Sequence, residues 1–126
     1  MPRRIAVVND DTAFLDLMVE LLTEEGYDVH PFKEATTAYQ GVRDLRPDVI
    51  ILDVHMENEA AGWQLLDFIK LEPALSTTPI VVCSADIHAL QERSAHLQSK
   101  GCAILAKPFD LADLLTLVDR ILGAQS

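Results

Sequence analysis

Asp53 is the residue of this sequence that most clearly could support chemistry. It ends the apolar run Val49-Ile50-Ile51-Leu52, which shows no polar alternation. A run of that kind is typical of a central strand in a parallel sheet, buried on both faces. Ligands of open α/β sheets bind beyond the carboxyl ends of the strands, so Asp53 is a candidate site residue. The alternative is that Asp53 only caps the following turn.

Polar residues also follow three other short apolar runs. Asn9 and Asp10 come after the first run, Ser84 after the fourth and Lys107 after the fifth. If these runs are parallel strands, their carboxyl ends lie along one edge of the sheet. Each residue also has a purely structural explanation, because Asp10 and Ser84 could cap helices and Lys107 could be a solvated loop lysine. The combination, however, is the set of groups needed to handle a metal ion and a phosphoryl group.

The chemistry expected of this set is phosphoryl transfer. Asp10 and Asp53 would repel each other, and a hard divalent cation such as Mg²⁺ relieves that repulsion. Lys107 and Ser84 can supply positive charge and a hydroxyl donor to phosphoryl oxygens. A carboxylate can attack phosphorus and form an aspartyl phosphate. The residues therefore predict that Asp53 is the nucleophile and that Mg²⁺ is the cofactor.

Hydrophobic patterning indicates five strands that alternate with five helices. The predicted strands are 4–8, 27–32, 48–53, 79–84 and 103–106, and the predicted helices are 14–22, 35–45, 62–71, 87–100 and 111–122. The short connections predict an α/β fold, a parallel sheet covered by helices on both sides. Gly26 and Gly101 are expected to end helices in the left-handed conformation, and Trp63 is expected in the core. No repeat or linker divides the chain, so we expect one domain over residues 1–126.

Composition limits the classes of function. The chain has 126 residues, an apolar fraction of 49% and a formal net charge of −10. This charge argues against direct binding to a nucleic-acid backbone. No apolar run approaches the length needed to span a bilayer, so we expect a cytoplasmic protein without membrane insertion. Cys83 and Cys102 should be buried free thiols, and the four histidines form no metal-ligand spacing and are expected to be exposed.

Four motifs resemble those of the receiver domain of two-component response regulators, over residues 4–122. They are Val7-Val8-Asn9-Asp10-Asp11, the segment from Pro47 to Asp53, Ser84-Ala85 and Lys107-Pro108-Phe109. The resemblance implies a flavodoxin-like, doubly wound, five-stranded parallel sheet with strand order 2-1-3-4-5. It also implies that Asp53 accepts a phosphoryl group from a histidine kinase or a histidine phosphotransfer protein.

The same resemblance implies the roles of the other residues. Mg²⁺ would be held by Asp10, Asp53 and the backbone carbonyl of His55, and Ser84 and Lys107 would contact the phosphoryl oxygens. The Lys107-Pro108 peptide would be cis. The fourth helix, fifth strand and fifth helix would form the surface for a downstream protein target, and phosphorylation-linked homodimerisation stays open.

Three positions depart from the family pattern. Asn9 replaces a second acidic residue; it could still offer an oxygen to the metal, directly or through water, and we expect weakened Mg²⁺ affinity. Glu57 replaces a common proline, and Gly62 stands one residue late. Ile104 replaces the aromatic switch residue, so we expect the response to pass mainly through Ser84, Ala85 and the fourth helix.

Two other functions remain as alternatives. One is a pseudo-receiver that acts only as an interaction module, which the departures at Asn9, Glu57 and Ile104 favour. The other is a small phosphatase of the haloacid-dehalogenase type, which uses the same nucleophile chemistry. That class carries a second aspartate two residues after the nucleophile, where this chain has His55.

Overall fold

The computed structural model describes residues 2–54, 59–84, 87–99, 101–107 and 110–124. The strands are β1 (Arg4–Val8), β2 (Asp28–Phe32), β3 (Val49–Asp53), β4 (Ile80–Ser84) and β5 (Cys102–Ala106). The helices are α1 (Thr12–Glu24), α2 (Ala35–Leu45), α3 (Glu59–Leu71), α4 (Ile87–Ser99) and α5 (Leu111–Ala124). All strand pairs are parallel, in the order β2-β1-β3-β4-β5, which confirms the predicted fold.

Successive strand residues point to opposite faces of the sheet, and here both faces are apolar. A layer of helices therefore covers each face. The α1/α5 face packs residues of the strands against buried residues of α1 and α5: Ile5, Val7, Val49, Ile51, Val81 and Cys83 against Leu15, Met18, Leu22, Leu114, Val118 and Leu122. The α2/α3/α4 face packs the alternate strand residues against the other three helices: Ala6, Val8, Ile50, Leu52, Ile80 and Val82 against Ala38, Val42, Trp63, Leu65, Leu66, Ile69, Leu90 and Leu97. Alternate residues of each strand therefore pack on opposite faces of the sheet.

The predicted start of α3 is wrong by three residues. The helix begins at Glu59 and not at residue 62, so Gly62 lies inside it. The polar residues before Gly62 favour a loop on sequence grounds. The structure also has a short 3₁₀ helix, Pro73–Leu75, that the sequence did not predict. The left-handed glycines are confirmed, with φ of 93° at Gly26 and 77° at Gly101.

Burial departs from the hydrophobic pattern at several residues. Leu17 of α1 is 43% exposed. Phe68 of α3 is 55% exposed, and its ring meets that of Tyr39 edge-on at 6.1 Å. His30 is half-buried, and its Nε2 lies 3.1 Å from a carboxylate oxygen of Asp28. Trp63 is buried as predicted, and His88 and His96 are exposed.

Two further expectations concern the thiols and the membrane. Cys83 and Cys102 are buried and form no disulfide, as expected. Within the residues that the structure describes, none of the helices has the length and apolar character needed to cross a bilayer.

Candidate functional site

The carboxyl edge of the sheet brings Asn9, Asp53 and Lys107 to the same side. Each stands two residues after a strand residue of the α1/α5 face, namely Val7, Ile51 and Leu105. Because side chains alternate along a strand, all three continue that face beyond the apolar core. Convergence of these residues was predicted from the order of the strands, and the register of the strands produces it.

Asp53 is a buried carboxylate with two donors. The residue is 5% exposed, and its Oδ2 accepts a hydrogen bond of 3.1 Å from the Asn9 side-chain amide. The ammonium group of Lys107 forms an ion pair and hydrogen bond with the same oxygen. A buried anion is costly unless it is paired and hydrogen-bonded, and these contacts meet that requirement.

Asn9 is fixed from both sides of its amide group. The residue is 2% exposed, and its Oδ1 accepts a hydrogen bond of 2.9 Å from the backbone N–H of Asp11. The Asp11 carboxylate in turn caps α1, accepting from the backbone N–H groups of Ala13 and Phe14 at 3.0 and 3.3 Å. This arrangement directs the NH₂ group of Asn9 toward Asp53. The amide oxygen, which a metal ion would use, is engaged by the start of α1.

Lys107 is held by the end of β5. Its backbone N–H donates to the carbonyl oxygen of Ser84 at 2.8 Å, which extends the β4–β5 pairing by one residue. Its Nζ lies 5.6 Å from the centre of the Phe14 ring, within the range of a cation–π contact. The lysine side chain is 29% exposed, so its ammonium group links the buried carboxylate to solvent.

Cys83 lies directly beside Asp53, a neighbour that the sequence reasoning did not connect with the site. The two residues are partners in the β3–β4 register, and Cys83 is 1% exposed. Burial and, to a smaller extent, the negative charge of Asp53 raise the pKa of its thiol to about 12, with Lys107 acting in the opposite direction. The thiol therefore stays neutral next to the carboxylate at physiological pH.

The remaining predicted site residues start from other positions along the same edge of the sheet. Ser84 is fully buried and continues the α2/α3/α4 face after Ile80 and Val82, so its side chain starts from the opposite side of the sheet to Asp53. Ile104 is half-buried and packs on the same face as Ser84. Asp10 is exposed at the end of β1. His55, Glu57, Ala85, Pro108 and Phe109 lie outside the described residues, so the metal-binding carbonyl and the cis peptide remain expectations.

The described oxygens suit a hard cation more than a transition metal. Asp10 and Asp53 contribute carboxylates at the ends of adjacent strands, and the neighbouring Cys83 stays protonated. In the described part of the chain, no group of three or more His, Cys, Asp or Glu side chains could hold a metal ion. A metal at this edge would therefore also need backbone or water oxygens, which Mg²⁺ commonly uses.

Sequence reasoning also missed the close approach of α3 to the end of β3. A Cβ atom built on Gly62 would lie 1.8 Å from the carbonyl oxygen of Val54, the residue after Asp53. Only glycine permits this approach without movement of the backbone. The available signal was a glycine inside an apolar helical pattern, which usually has a packing reason.

Comparisons with known proteins agree with this geometry. A family model described as the response regulator receiver domain matches residues 5–119. The DNA-binding response regulator MtrA of Mycobacterium tuberculosis (strain ATCC 25618 / H37Rv) is 30% identical over 118 residues, which cover 94% of this chain and 50% of MtrA. The chain thus spans half the length of that relative. Protein Rrf1 of Nitratidesulfovibrio vulgaris is 30% identical over 123 residues, which cover 98% of this chain and 85% of Rrf1.

Among solved structures, the receiver domain of the sensor histidine kinase PA1611 from Pseudomonas aeruginosa PAO1 superposes with a TM-score of 0.80. It shares 24% sequence identity, and the match covers 98% of this chain and 99% of that one. At this identity the likeness shows the fold. That PA1611 structure has a magnesium ion coordinated in its active-site cleft.

Proposed function

This chain belongs to the response regulator receiver domain family, and on that premise we propose that Asp53 accepts a phosphoryl group from a partner phosphohistidine. The partner would be a histidine kinase or a histidine phosphotransfer protein. The observation that carries the proposal is the buried Asp53 carboxylate, held by Asn9 and Lys107 at the carboxyl edge of a parallel sheet. Ligands of this fold class bind at that edge.

The proposed step is a displacement at phosphorus. A carboxylate oxygen of Asp53 forms the new P–O bond, the P–N bond to the partner's imidazole breaks, and its electron pair returns to the imidazole nitrogen. Lys107 is already paired with Asp53, and its ammonium group would then pair with a phosphoryl oxygen instead of the carboxylate. Ser84 would donate its hydroxyl to another phosphoryl oxygen from the opposite face of the sheet. Hydrolysis of the acyl phosphate by water regenerates the carboxylate.

Mg²⁺ is the proposed cofactor, because the donors at this edge are hard oxygens. Asp10 and Asp53 would hold the ion together with the backbone carbonyl of His55 and with water. Bound Mg²⁺ supplies positive charge that offsets the charge on the phosphoryl oxygens. Asn9 brings no negative charge, and its oxygen accepts from Asp11, so we expect this site to bind Mg²⁺ weakly.

The proposed output is a change in protein binding. By similarity to the family, the surface of α4, β5 and α5 would bind a downstream protein. The chain carries a formal charge of −10, which favours a basic partner surface over nucleic acid.

The phosphorylated receiver is favoured over the two alternatives by specific observations. A pseudo-receiver has no need for a buried carboxylate paired with a lysine, an arrangement that costs desolvation. A phosphatase of the haloacid-dehalogenase type would have a second aspartate in place of His55. The receiver is therefore the function that the geometry supports best.

Acetyl phosphate with Mg²⁺, followed by a phosphate-affinity gel, tests the proposal. The matched pair of variants is Asp53→Asn and Asp48→Asn, at opposite ends of the β3 region. Asp48 accepts a hydrogen bond of 2.8 Å from the backbone N–H of Arg4 and is half-buried.

We expect a shifted, hydroxylamine-sensitive band in the wild type and in Asp48→Asn, and none in Asp53→Asn. A folded wild type without the band would support the pseudo-receiver. Steady release of phosphate from a generic phosphate ester would support the phosphatase.

A further inference from the structure

The acceptor and α4 lie on different faces of the sheet. Asp53 continues the α1/α5 face, whereas α4 buries Leu90 and Leu97 on the α2/α3/α4 face. A phosphoryl group on Asp53 can change α4 only through a residue that belongs to the other face. Ser84, at the end of β4, and Val54, directly after Asp53, both belong to it.

Val54 makes this crossing, because it follows Asp53 directly and its side chain belongs to the other face. It is fully buried within the α2/α3/α4 face, and its N–H donates to the carbonyl oxygen of Cys83 at 3.2 Å. Its backbone also touches α3 at Gly62, where an added Cβ would lie 1.8 Å from the Val54 oxygen and 2.5 Å from its Cα. A displacement of Val54 toward α3 would therefore have to move this helix.

Trp63 carries the contact from α3 to α4. It follows Gly62 directly and is 7% exposed. The guanidinium carbon of Arg93, in the middle of α4, lies 4.2 Å from the centre of the indole ring. A guanidinium over the face of tryptophan is the strongest common cation–π pair, and it favours one relative position of the two helices.

Arg93 is exposed, but the indole ring that it covers is buried. Among the side chains of α4 that the structure describes, the buried ones are Leu90 and Leu97. Most of the other described residues of α4 are exposed, namely His88, Gln91, Glu92, Arg93, Ala95, His96, Gln98 and Ser99. The Arg93–Trp63 contact adds to these two apolar anchors a direct contact between α4 and α3.

We propose that the Arg93–Trp63 contact couples the acceptor end of β3 to α4, through Val54 and Gly62. This inference rests on the proposed function, since it assigns a route to the response that follows phosphorylation of Asp53. Arg93 is a positioning residue in this scheme and takes no part in phosphoryl transfer. Loss of Arg93 should therefore leave phosphorylation intact and separate it from the change in α4.

Two-dimensional amide NMR of the domain, with and without acetyl phosphate and Mg²⁺, tests the coupling. The variants are Arg93→Gln, which removes the cation, and Arg93→Lys, which retains one over the ring. Arg120→Gln removes the same charge from an exposed position on α5. The indole N–H of Trp63, the only tryptophan of the sequence, gives a single additional resonance.

In the wild type we expect phosphorylation to shift the amide resonances of residues 50–54, the Trp63 indole and residues 90–99. In Arg93→Gln the shifts at 50–54 should persist, while those at 90–99 fall to less than about half. Arg93→Lys should recover most of the α4 response, and Arg120→Gln should behave as the wild type. Phosphorylated protein, measured on the gel, should stay within about twofold in all three variants.

Undiminished α4 shifts in phosphorylated Arg93→Gln would overturn the coupling while leaving the proposed function in place. Loss of the phosphoprotein band in that variant would also overturn it, since Arg93 would then act at the acceptor. A wild type that forms no phosphoprotein would remove the proposed function, and this inference with it.

Discussion

The two faces of the sheet carry different kinds of polar contact. On the α1/α5 face, Asn9, Asp53 and Lys107 form a hydrogen-bonded group around one carboxylate. On the α2/α3/α4 face, β4 ends at Ser84 and β5 carries Ile104 at its middle, and a cation–π contact lies farther out, between Arg93 and Trp63. One face holds the acceptor carboxylate and the lysine of the proposed chemistry, and the other holds Ser84 and a helix with few buried anchors.

The difference indicates that reactivity and response are separated by the thickness of the sheet. Substitutions on the α1/α5 face should change phosphoryl uptake or metal binding. Apart from Ser84, whose hydroxyl is proposed to contact a phosphoryl oxygen, substitutions on the α2/α3/α4 face should change stability or the response of α4. A substitution on one face that produced the effect expected of the other would show that the two faces are coupled more tightly than these contacts imply.

Replacement of Lys107 should have the largest effect. Lys107→Gln removes the ammonium group that would stabilise the transferring phosphoryl group, and we expect the rate of phosphorylation by acetyl phosphate to fall about 100-fold. Initial rates from phosphate-affinity gels measure this. Lys33→Gln, at an exposed position after β2, is the control and should keep the wild-type rate. A folded Lys107→Gln protein with an unchanged rate would separate Lys107 from the chemistry.

Gly62 tests the packing of the other face. Gly62→Ala places a Cβ against the backbone of Val54, and we expect the free energy of unfolding to fall by about 1–3 kcal/mol or more. Gly123→Ala, in a helix position with no atom within 4 Å of the added Cβ, should raise it by up to about 1 kcal/mol. Urea denaturation measures both. Equal effects in the two variants would mean that α3 moves away from Val54 without cost.

Asn9 should control metal affinity on the α1/α5 face. Asn9→Asp adds a negative charge beside Asp53 and removes the donor at 3.1 Å, so we expect Mg²⁺ to bind about tenfold more tightly. Isothermal titration calorimetry measures this affinity. Asn9→Ala removes the donor without adding charge and should not tighten binding. Unchanged affinity in Asn9→Asp would place the metal away from residue 9.

The smallest expected effect is a change in the pKa of the Cys83 thiol, which depends in part on the charge of Asp53. Its pKa is raised from 9.0 to about 12, so the thiol contributes stability that is fully present below about pH 9 and is lost as the pH rises toward about 12. The pKa should fall in Asp53→Asn, because the negative charge of Asp53 is one cause of the increase. The pH dependence of alkylation in a Cys102→Ser background measures it. An equal fall in Asp48→Asn would contradict this local cause.

The sequence predicts the fold and the identity of the strand-end residues more completely than their contacts. Five apolar runs and their spacing are enough to place Asn9, Asp53 and Lys107 at one edge, because parallel strands end together. The orientation of the Asn9 amide depends on the N–H of Asp11, a contact that no spacing rule predicts. The opposite position of Ser84 follows from its place in β4, which becomes visible only when the register is known.

The contacts between helices were beyond prediction for a related reason. Arg93 and Trp63 are 30 positions apart, and each alone has an ordinary explanation as a surface arginine or a core tryptophan. The sequence predicts that the third helix starts at Gly62, after a polar loop, whereas α3 begins at Glu59 and brings Gly62 against Val54. Phe68 is as hydrophobic as a core residue, but it lies on the exposed side of α3.

The hydrogen bonds of Asn9 also bear on how this sequence can evolve. Through Asp11 they join the carboxylate of Asp53 to the first turn of α1, and Phe14 of that turn lies against the ammonium group of Lys107. A change at any of these positions alters the surroundings of the others. We therefore expect positions 9, 11, 14 and 107 to vary together among descendants of this sequence, although they lie on two segments about a hundred residues apart.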